Sequence, residues 1–562
     1  MLRIENTKLL AAACLSFFAA ALYSDDANTP KIPALEKTVK IEKQYLNMPV
    51  KNGAEMKRIN LLVDGKAVRY FDIELADSNN PDFWAFLDLG TYIGKDITIQ
   101  MSPSKTAAPK TLDLFIQSDK IKGFETIYKE KYRPQFHFTS KIGWNNDTNG
   151  LVFYKGFYHL FYQHNPFGWK WGNMHWGHAI SKDLIHWQEL NDALVPDDLG
   201  TIFSGSAVID WNNTTDFQTA SEKPLVCIYT AAGSPFTQCI AYSIDFGRTF
   251  TKYQGNPVLK NIVTDNRDPK VIWHLPSRQW GMALFLSGDS YALFGSPNLK
   301  IWTKLSDIKL PGCGECPDFF ELPLDGDKNN TRWIFWGANS SYLVGSFDGK
   351  TFTPQTEVQK LYPAGNAYAG QTFSDIPQSD GRRIHIAWLR GDMPNMPFNQ
   401  QMTFPLEFAL KTTPNGPRLF VWPVSEIESL YNKTQTWTDL TLTTGQNPFS
   451  EIKGQLFDIQ ADFTITQDSD FGFNIFGSSI TYSAKTRTLS CLDNNLPLEP
   501  IDGKINLRIL VDKASIELFA NNGLACIPAH ALLDYDKPLS IFTNQAALKI
   551  NSLKIHQLNS IW

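Results

Sequence analysis

The sequence predicts an all-β chain, with a propeller set between two β-sandwich-like parts, and three observations carry that expectation. Helical periodicity is scarce along the whole length. Residues 156–162, 225–229 and 333–336 are short, aromatic and bounded by Gly, Pro, Asn or Asp, as strands are. A degenerate motif also recurs, with Ser181, Asp183 and Trp187 in its first copy, and Ser243, Asp245 and Phe250 in its second. Ser296, Asn298 and Trp302 form the third copy, and Ser346, Asp348 and Phe352 the fourth. Each copy reads as strand, Asx turn, strand. The serines lie 62, 53 and 50 residues apart, and a period near 50 marks propeller blades, each a four-stranded sheet. Four unrelated hairpin turns in one large sandwich are the other reading of the same motif.

Taken from the N-terminus, Arg3 and Lys8 precede an apolar run over residues 9–22, and the chain turns polar at Ser24, Asp25 and Asp26. That order is the pattern of a cleaved signal peptide over residues 1–24, so the mature protein is expected to be exported, periplasmic or secreted. Cys14 behind Leu10, Ala11, Ala12 and Ala13 permits a lipoprotein reading, but residues 15–22 would then remain as an apolar N-terminus. Ordinary cleavage near Ser24 is favoured. The run is too short to span a bilayer and no later stretch is long enough, so no membrane span is expected.

Residues 25–133 contain alternating segments at 59–63 and 97–101 without a concentration of catalytic side-chain types, which predicts a small sandwich-like domain. Residues 134–428 hold the repeats. In residues 429–562, strands at 505–511 and 515–519 flank a turn at Asp512 and Lys513, within a run of regularly spaced strands that predicts a second sandwich.

The length of 562 residues exceeds one core and requires several domains. A net charge of -5 without a basic run lacks the phosphate-neutralising surface that nucleic acid needs, so no such partner is expected. Aromatics make up 13% of residues, and many crowd between Trp144 and Trp187, in keeping with a surface on which sugars stack. Removing Cys14 leaves six scattered cysteines, which imply no disulfide framework. Cys313 and Cys316 have a metal or redox spacing, but no second Cys pair or His cluster completes a zinc site. No metal or cofactor is expected. His175 and His178 read as core histidines.

Three stretches place single carboxylates in Trp- and Pro-punctuated settings. They are residues 144–150 around Asp147, Arg267-Asp268-Pro269, and Glu315-Cys316-Pro317-Asp318. A lone Asp at a turn caps its own backbone, but carboxylates arriving in this way from different blades are how a glycosidase would assemble its acids. Residues 144–150 resemble the Trp-Met-Asn-Asp-Pro-Asn-Gly signature of glycoside hydrolase family 32, the fructan hydrolases and invertases. The likeness continues through residues 161–166, 171–178, 203–206, 267–269 and 315–318, and covers about residues 136–562.

The resemblance implies a five-bladed propeller followed by a sandwich, and a retaining hydrolase of β-fructofuranosyl bonds. It implies Asp147 as nucleophile, Glu315 as acid/base, Asp268 as transition-state stabiliser and Cys316 as a free thiol tuning the acid. It also implies that Asn146, Gln163, Trp171, Phe203, Ser204, Arg267 and Asp318 line the terminal fructose subsite. Trp388 is added as a pocket-rim residue because Gly391 lies nearby, as Gly172 lies beside Trp171. Chemically, Arg267 is expected to fork onto Asp268, and two neighbouring anions to help Glu315 keep its proton.

Three positions depart from the family pattern. Asn145 and Thr148 replace the usual Met and Pro. Asn366 stands where many invertases carry an Asp, which points to polymeric fructan or fructo-oligosaccharide as substrate. Levan is favoured over inulin or sucrose on the likeness of residues 165–181 to levanase-type members. Invertase, inulinase and fructosyltransferase are the alternatives within the family. Sialidase is a more distant one, because residues 243–250 resemble its Asp-box turn, but no arginine triad with a nucleophilic Tyr can be assigned. A non-catalytic sugar-binding propeller would be expected to lose one of the three carboxylates, and none is lost.

Overall fold

A computed structural model describes residues 34–78, 80–104, 110–466, 469–544 and 547–562. The expected signal peptide over residues 1–24 lies outside the described residues. Within them, helix is confined to short 3-10 turns and everything else regular is β-strand.

The first part is a two-layer sandwich. One antiparallel sheet runs Leu35–Lys40, Asp96–Met101, Met56–Val63, Lys66–Glu74, and the other runs Phe83–Asp88, Tyr45–Val50, Ile116–Ser118. The two alternating segments read from the sequence pair with each other, Ile59 opposite Met101, Leu61 opposite Ile99 and Val63 opposite Ile97. Period-two alternation therefore sends one set of side chains inward, and all six of these residues are buried.

Five four-stranded antiparallel blades follow. Their innermost strands are Gly143–Tyr154, Thr201–Ile209, Arg267–His274, Asp318–Leu324 and Ala367–Thr372. These strands pack against one another around the axis and all start from the same face of the ring. In the first four blades the recurring motif is the turn between the third and outermost strands. Asp183 accepts from the Ile185 and His186 amides, Asp245 from Arg248 and Thr249, Asn298 from Lys300 and Ile301, and Asp348 from Lys350 and Thr351. The fifth blade lacks the motif because its outer hairpin joins Leu406–Thr413 to Gly416–Pro423 through only Pro414 and Asn415. Ring closure comes from Phe398–Asn399, which pairs in parallel with Gly143 and Trp144 of the first blade.

The last part is a sandwich of a six-stranded and a five-stranded sheet. Its hairpin of Lys504–Asp512 and Ser515–Ala520 pairs as the sequence indicates, Val511 opposite Ile516. Leu510, Phe519, Cys526 and Leu558 of this sandwich share one core cluster with Phe136 and Phe138 and with blades one, four and five.

A buried polar knot pins that junction. Asp512 accepts hydrogen bonds from the amides of Gln135 (2.8 Å), Phe136 (2.9 Å) and His137 (3.2 Å), and from His137 Nδ1 (2.8 Å). Glu517 faces the other ring nitrogen at 3.7 Å and accepts from the Phe404 amide. All three side chains are fully buried. Burial alone would depress the imidazole, but the hydrogen bonds and charges of Asp512 and Glu517 hold it at about 9. Burial likewise opposes the Asp512 anion, and His137 and the backbone donors overcome it and hold its carboxyl below the ordinary value.

The sign of the pH dependence follows from these two shifts. Stability from Asp512 is present above its ordinary carboxylate pKa and is lost as pH falls through the folded value. Stability from His137 is present below its ordinary 6.5 and is lost as pH rises through about 9. Asp512→Asn is expected to cost about 3 kcal/mol at neutral pH, since it removes the closer of the two carboxylates paired with the buried imidazolium. Thermal unfolding from pH 4 to 10 should show wild type losing stability above pH 6.5 and the variant losing much less over that range. Parallel curves would refute the assignment.

Candidate active site

Asp147, Asp268 and Glu315 meet at the face where the five innermost strands begin. Asn146 and Asp147 lie near the start of the first, Phe203 and Ser204 of the second, and Arg267 and Asp268 of the third. Glu315 and Cys316 immediately precede the fourth, and Tyr368 lies at the start of the fifth. In four of these strands the register slips at that level, between Asn145 and Thr148, Phe203 and Gly205, Arg267 and Lys270, and Tyr368 and Gln371. A bulge re-aims side chains that pleating would send into the blade. In the fourth blade the same purpose is met by left-handed backbone, φ 61° at Glu315 and 37° at Cys316, and Asp268 is also left-handed at 63°. Such conformations are held only by surrounding contacts.

Those contacts are specific. Asp147 Oδ2 accepts from Ser204 Oγ at 2.6 Å and Oδ1 from Asn146 Nδ2 at 3.1 Å, and Asn146 is fixed in turn by Trp144 Nε1 at 2.8 Å. The Cys316 thiol stands between two carboxylates, 3.4 Å from Asp147 Oδ2 and 3.6 Å from Asp268 Oδ2, while the Cys316 amide donates to Asp268 Oδ2 at 3.0 Å. The Asp268 amide rests on Thr230 Oγ1, which donates to Gln238. Glu315 receives Arg267 Nη2 on one oxygen and Tyr368 Oη on the other, both at 2.6 Å.

These environments set the three carboxyls apart. Burial raises Asp147, and the Glu315 charge adds to it against the opposing bonds of Ser204, Asn146 and Cys316. Burial raises Asp268 furthest, to about 7, with Glu315 and Asp147 adding to it and Arg267 only partly offsetting it. Burial also pushes on Glu315, but the Arg267 charge and the two hydrogen bonds outweigh it and leave its carboxyl below the ordinary value. Burial and the three anions drive the Cys316 thiol well above its usual pKa, so it stays protonated.

Several expectations need correction. Arg267 bonds Glu315, and its Nε is 3.7 Å from Asp268, so the guanidinium's close contact is with the expected acid and not with the expected stabiliser. It follows that Glu315 is the most readily ionised of the three, whereas its two neighbouring anions were expected to keep it protonated. Cys316 is a free thiol, but it touches Asp147 and Asp268 and reaches Glu315 only through the chain. Asp318 is 1% exposed and sits behind the pocket wall, bound by Lys270 Nζ at 3.0 Å and the Thr372 amide at 2.6 Å. Asn366 is turned toward the C-terminal sandwich, where its Oδ1 takes the His530 amide at 2.9 Å. It carries no argument about substrate length.

The remaining residues stand as follows. Gln163 opposes the Asn146–Asp147 bulge from the neighbouring strand, with its buried Nε2 lacking a hydrogen-bond partner among the described residues. Trp171 is 50% exposed at the rim, edge-on to Phe203. Trp388 is half-buried, bonds Gln400, and lies edge-on to Trp144 and Tyr368. Gly391 serves a different contact from the one inferred, since a Cβ there would meet the His530 ring at 2.0 Å. His175 and His178 are buried. Both departures from the usual nucleophile loop are hydrogen-bonded in place. Thr148 Oγ1 reaches the carbonyls of Ala369 and Ile386, and the Asn145 amide nitrogen faces those of Asn399 and Gln400. Sequence reasoning missed Tyr368 and Phe236, the latter edge-on to Phe203, because a single aromatic on a strand carries no sign of which way it faces.

The raised Asp268 carboxyl has a measurable cost. Its anion is disfavoured in the fold, so wild-type stability should fall as pH rises from about 4 to about 7. Asp268→Asn should remove that fall and raise neutral-pH stability by a few kcal/mol, at about 1.36 kcal/mol per pKa unit. Unfolding midpoints at pH 4 and pH 7.5 check this, and an Asn variant less stable at both would contradict it.

Residues 137–423 match the model of the glycosyl hydrolases family 32 N-terminal domain, and residues 426–557 that of the family 32 C-terminal domain. A levanase of Bacillus subtilis (strain 168) is 39% identical over 78% of this chain and 72% of its own length. An extracellular exo-inulinase of Aspergillus ficuum is 31% identical over 77% of this chain and 96% of its own. The crystal structure of an exo-inulinase from Aspergillus awamori superposes with a TM-score of 0.71 at 28% identity, covering 77% of this chain and all of that one. The N-terminal sandwich precedes the first matched residue. The chain belongs to glycosyl hydrolase family 32 and is a glycoside hydrolase with fructosidase activity.

Proposed function

We propose that the protein hydrolyses β-fructofuranosyl linkages of fructan with retention of configuration, and that levan is its preferred polymer. The convergence of three carboxylates in three different environments is the observation that carries the mechanism. Asp147, held by Ser204 and Asn146, attacks the anomeric carbon. Glu315 gives its proton to the departing oxygen and later takes one from the water that hydrolyses the fructosyl-enzyme ester. Asp268 accepts from the sugar hydroxyls, and the unpartnered Gln163 amide offers a donor beside the nucleophile.

The order of the pKa shifts completes the cycle. In the free enzyme burial raises the Asp268 carboxyl to about 7, while Arg267 and Tyr368 hold the Glu315 carboxyl below its ordinary value. Sugar hydroxyls donating to Asp268 favour its anion, and that nearby negative charge helps Glu315 take up the proton that the leaving oxygen needs. The levan preference is supported by the 39% identity to a levanase against 31% to an exo-inulinase. Export is supported by the relatives named extracellular.

Incubation with levan, inulin and sucrose, followed by product chromatography, tests the reading. Fructose should accumulate fastest from levan, and new oligosaccharides in place of fructose would indicate transfer. Asp147→Asn and Glu315→Gln should each lower kcat by about 10³-fold or more with folding intact, and near-normal rates in either would refute its role. Tyr368→Phe removes a bond that lowers Glu315, so the basic limb of the kcat/KM profile should move to higher pH. An unmoved limb would assign that limb to another group.

A further inference from the structure

The N-terminal sandwich, outside both family matches, is joined to the rim of the site through three consecutive residues of one edge strand. That strand, Lys66–Glu74, ends its sheet. Tyr70 Oη donates to the Asp197 carbonyl at 2.9 Å, at the turn leading into Phe203 and Ser204. Phe71 stacks on Phe167 of the propeller at 3.8 Å, with the planes within 15°. The Asp72 backbone makes a two-pronged pair with Asn173, its amide donating to Oδ1 and its carbonyl accepting from Nδ2, both at 2.7 Å. Asn173 thereby satisfies the open sheet edge as a neighbouring strand would.

Phe167 and Asn173 bracket the loop that carries Trp171. Phe167 is fully buried in the core of the N-terminal sandwich, with Ile142 beside it and Trp169 packed against that core. Within the loop, Asn165 accepts from the Phe167 amide and from Asn173 Nδ2, and donates to the Lys170 carbonyl. Trp169 is held to the ring-closing segment by Nε1 on the Phe398 carbonyl and by Asn399 Nδ2 on its own carbonyl. Trp171 is left half exposed at the tip, edge-on to Phe203, whose neighbour Ser204 holds Asp147. The indole therefore stands one step further out from Asp147 than Phe203 does, at the outer edge of the pocket and not against its floor.

We propose that the N-terminal sandwich braces this loop, and that Tyr70, Phe71 and Asn173 act as positioning residues which set the affinity of Trp171 for the polymer behind the terminal fructosyl unit. The kinetic consequence rests on the fructan reading above. The bracing does not, because it can be measured without substrate.

Phe71→Ala and Asn173→Ala in the full chain test both. Asn173 lies outside the sandwich core, so its variant keeps the test valid if Phe71→Ala fails to fold. Hydrogen exchange of residues 166–173 should rise in each variant that folds, while the inner strands of blades three to five stay protected. Unchanged exchange there would overturn the bracing. KM for levan should rise about fivefold or more, with kcat on sucrose within about twofold. Adding Trp171→Ala to Asn173→Ala should raise the levan KM no further than Trp171→Ala alone. A levan KM within about twofold of wild type, an equal loss on sucrose, or additive effects would overturn the positioning role. Wild type inert on all fructans would refute the functional reading, while the exchange result still decides the bracing.

Discussion

Three carboxylates and one guanidinium share the mouth of the ring, and the rest of the site is arranged around that imbalance. Arg267 bonds one acid and only partly offsets the charge of a second, so Asp147 and Asp268 must be separated by something other than a cation. The Cys316 thiol does this as a wedge that stays neutral, because burial, and after it the carboxylates around it, suppress its ionisation. A charged or bulkier group in that space would either bind one acid permanently or push the two apart. The acids are thereby left with unequal proton affinities, which a double displacement requires of groups so close together.

Holding like charges together has to be offset elsewhere. The bulges and left-handed residues that aim the acids are themselves unfavourable, and they are kept by hydrogen bonds from neighbouring blades. Away from the mouth, the molecule is conventional in its sources of stability. It has continuous apolar cores between blades and a shared core with the C-terminal sandwich. The polar knot around Asp512 fixes the junction at which the chain enters the propeller. Function and stability are spatially separated, with destabilising groups at one end of the ring axis and the ordinary packing at its periphery.

The architecture was legible where the physics is local. Asx turns repeat because each blade needs the same short link between its outer strands, so four blades could be counted from Ser and Asp spacing alone. The fifth could not, since its tight Pro414–Asn415 hairpin leaves no such mark, and only the family resemblance supplied the number. That Asp147, Asp268 and Glu315 belong to one cluster was readable from motif context. Their partners were not, because Arg267 adjoins Asp268 in sequence while its guanidinium reaches Glu315 across 48 residues. Asp318 misled for the same reason. It sits in a catalytic motif, but strand alternation turns it to the buried side, onto Lys270. Tyr368 and Phe236 gave no local sign at all, since an aromatic on a strand looks alike whether it faces core or pocket.

The parallel pairing of Phe398–Asn399 with Gly143 and Trp144 bears on how the protein is made. The loop that carries Asp147 begins at residue 144, yet the segment that flanks it is synthesised more than 250 residues later. The Asp512 carboxylate that ties down residues 135–137 emerges later still. A nascent chain can therefore fold its first blades while the pocket remains open-sided, and the ring can be sealed only near the end of translation. Hydrolytic competence is in this sense a late event of biosynthesis, which keeps a partly made chain from presenting an assembled site.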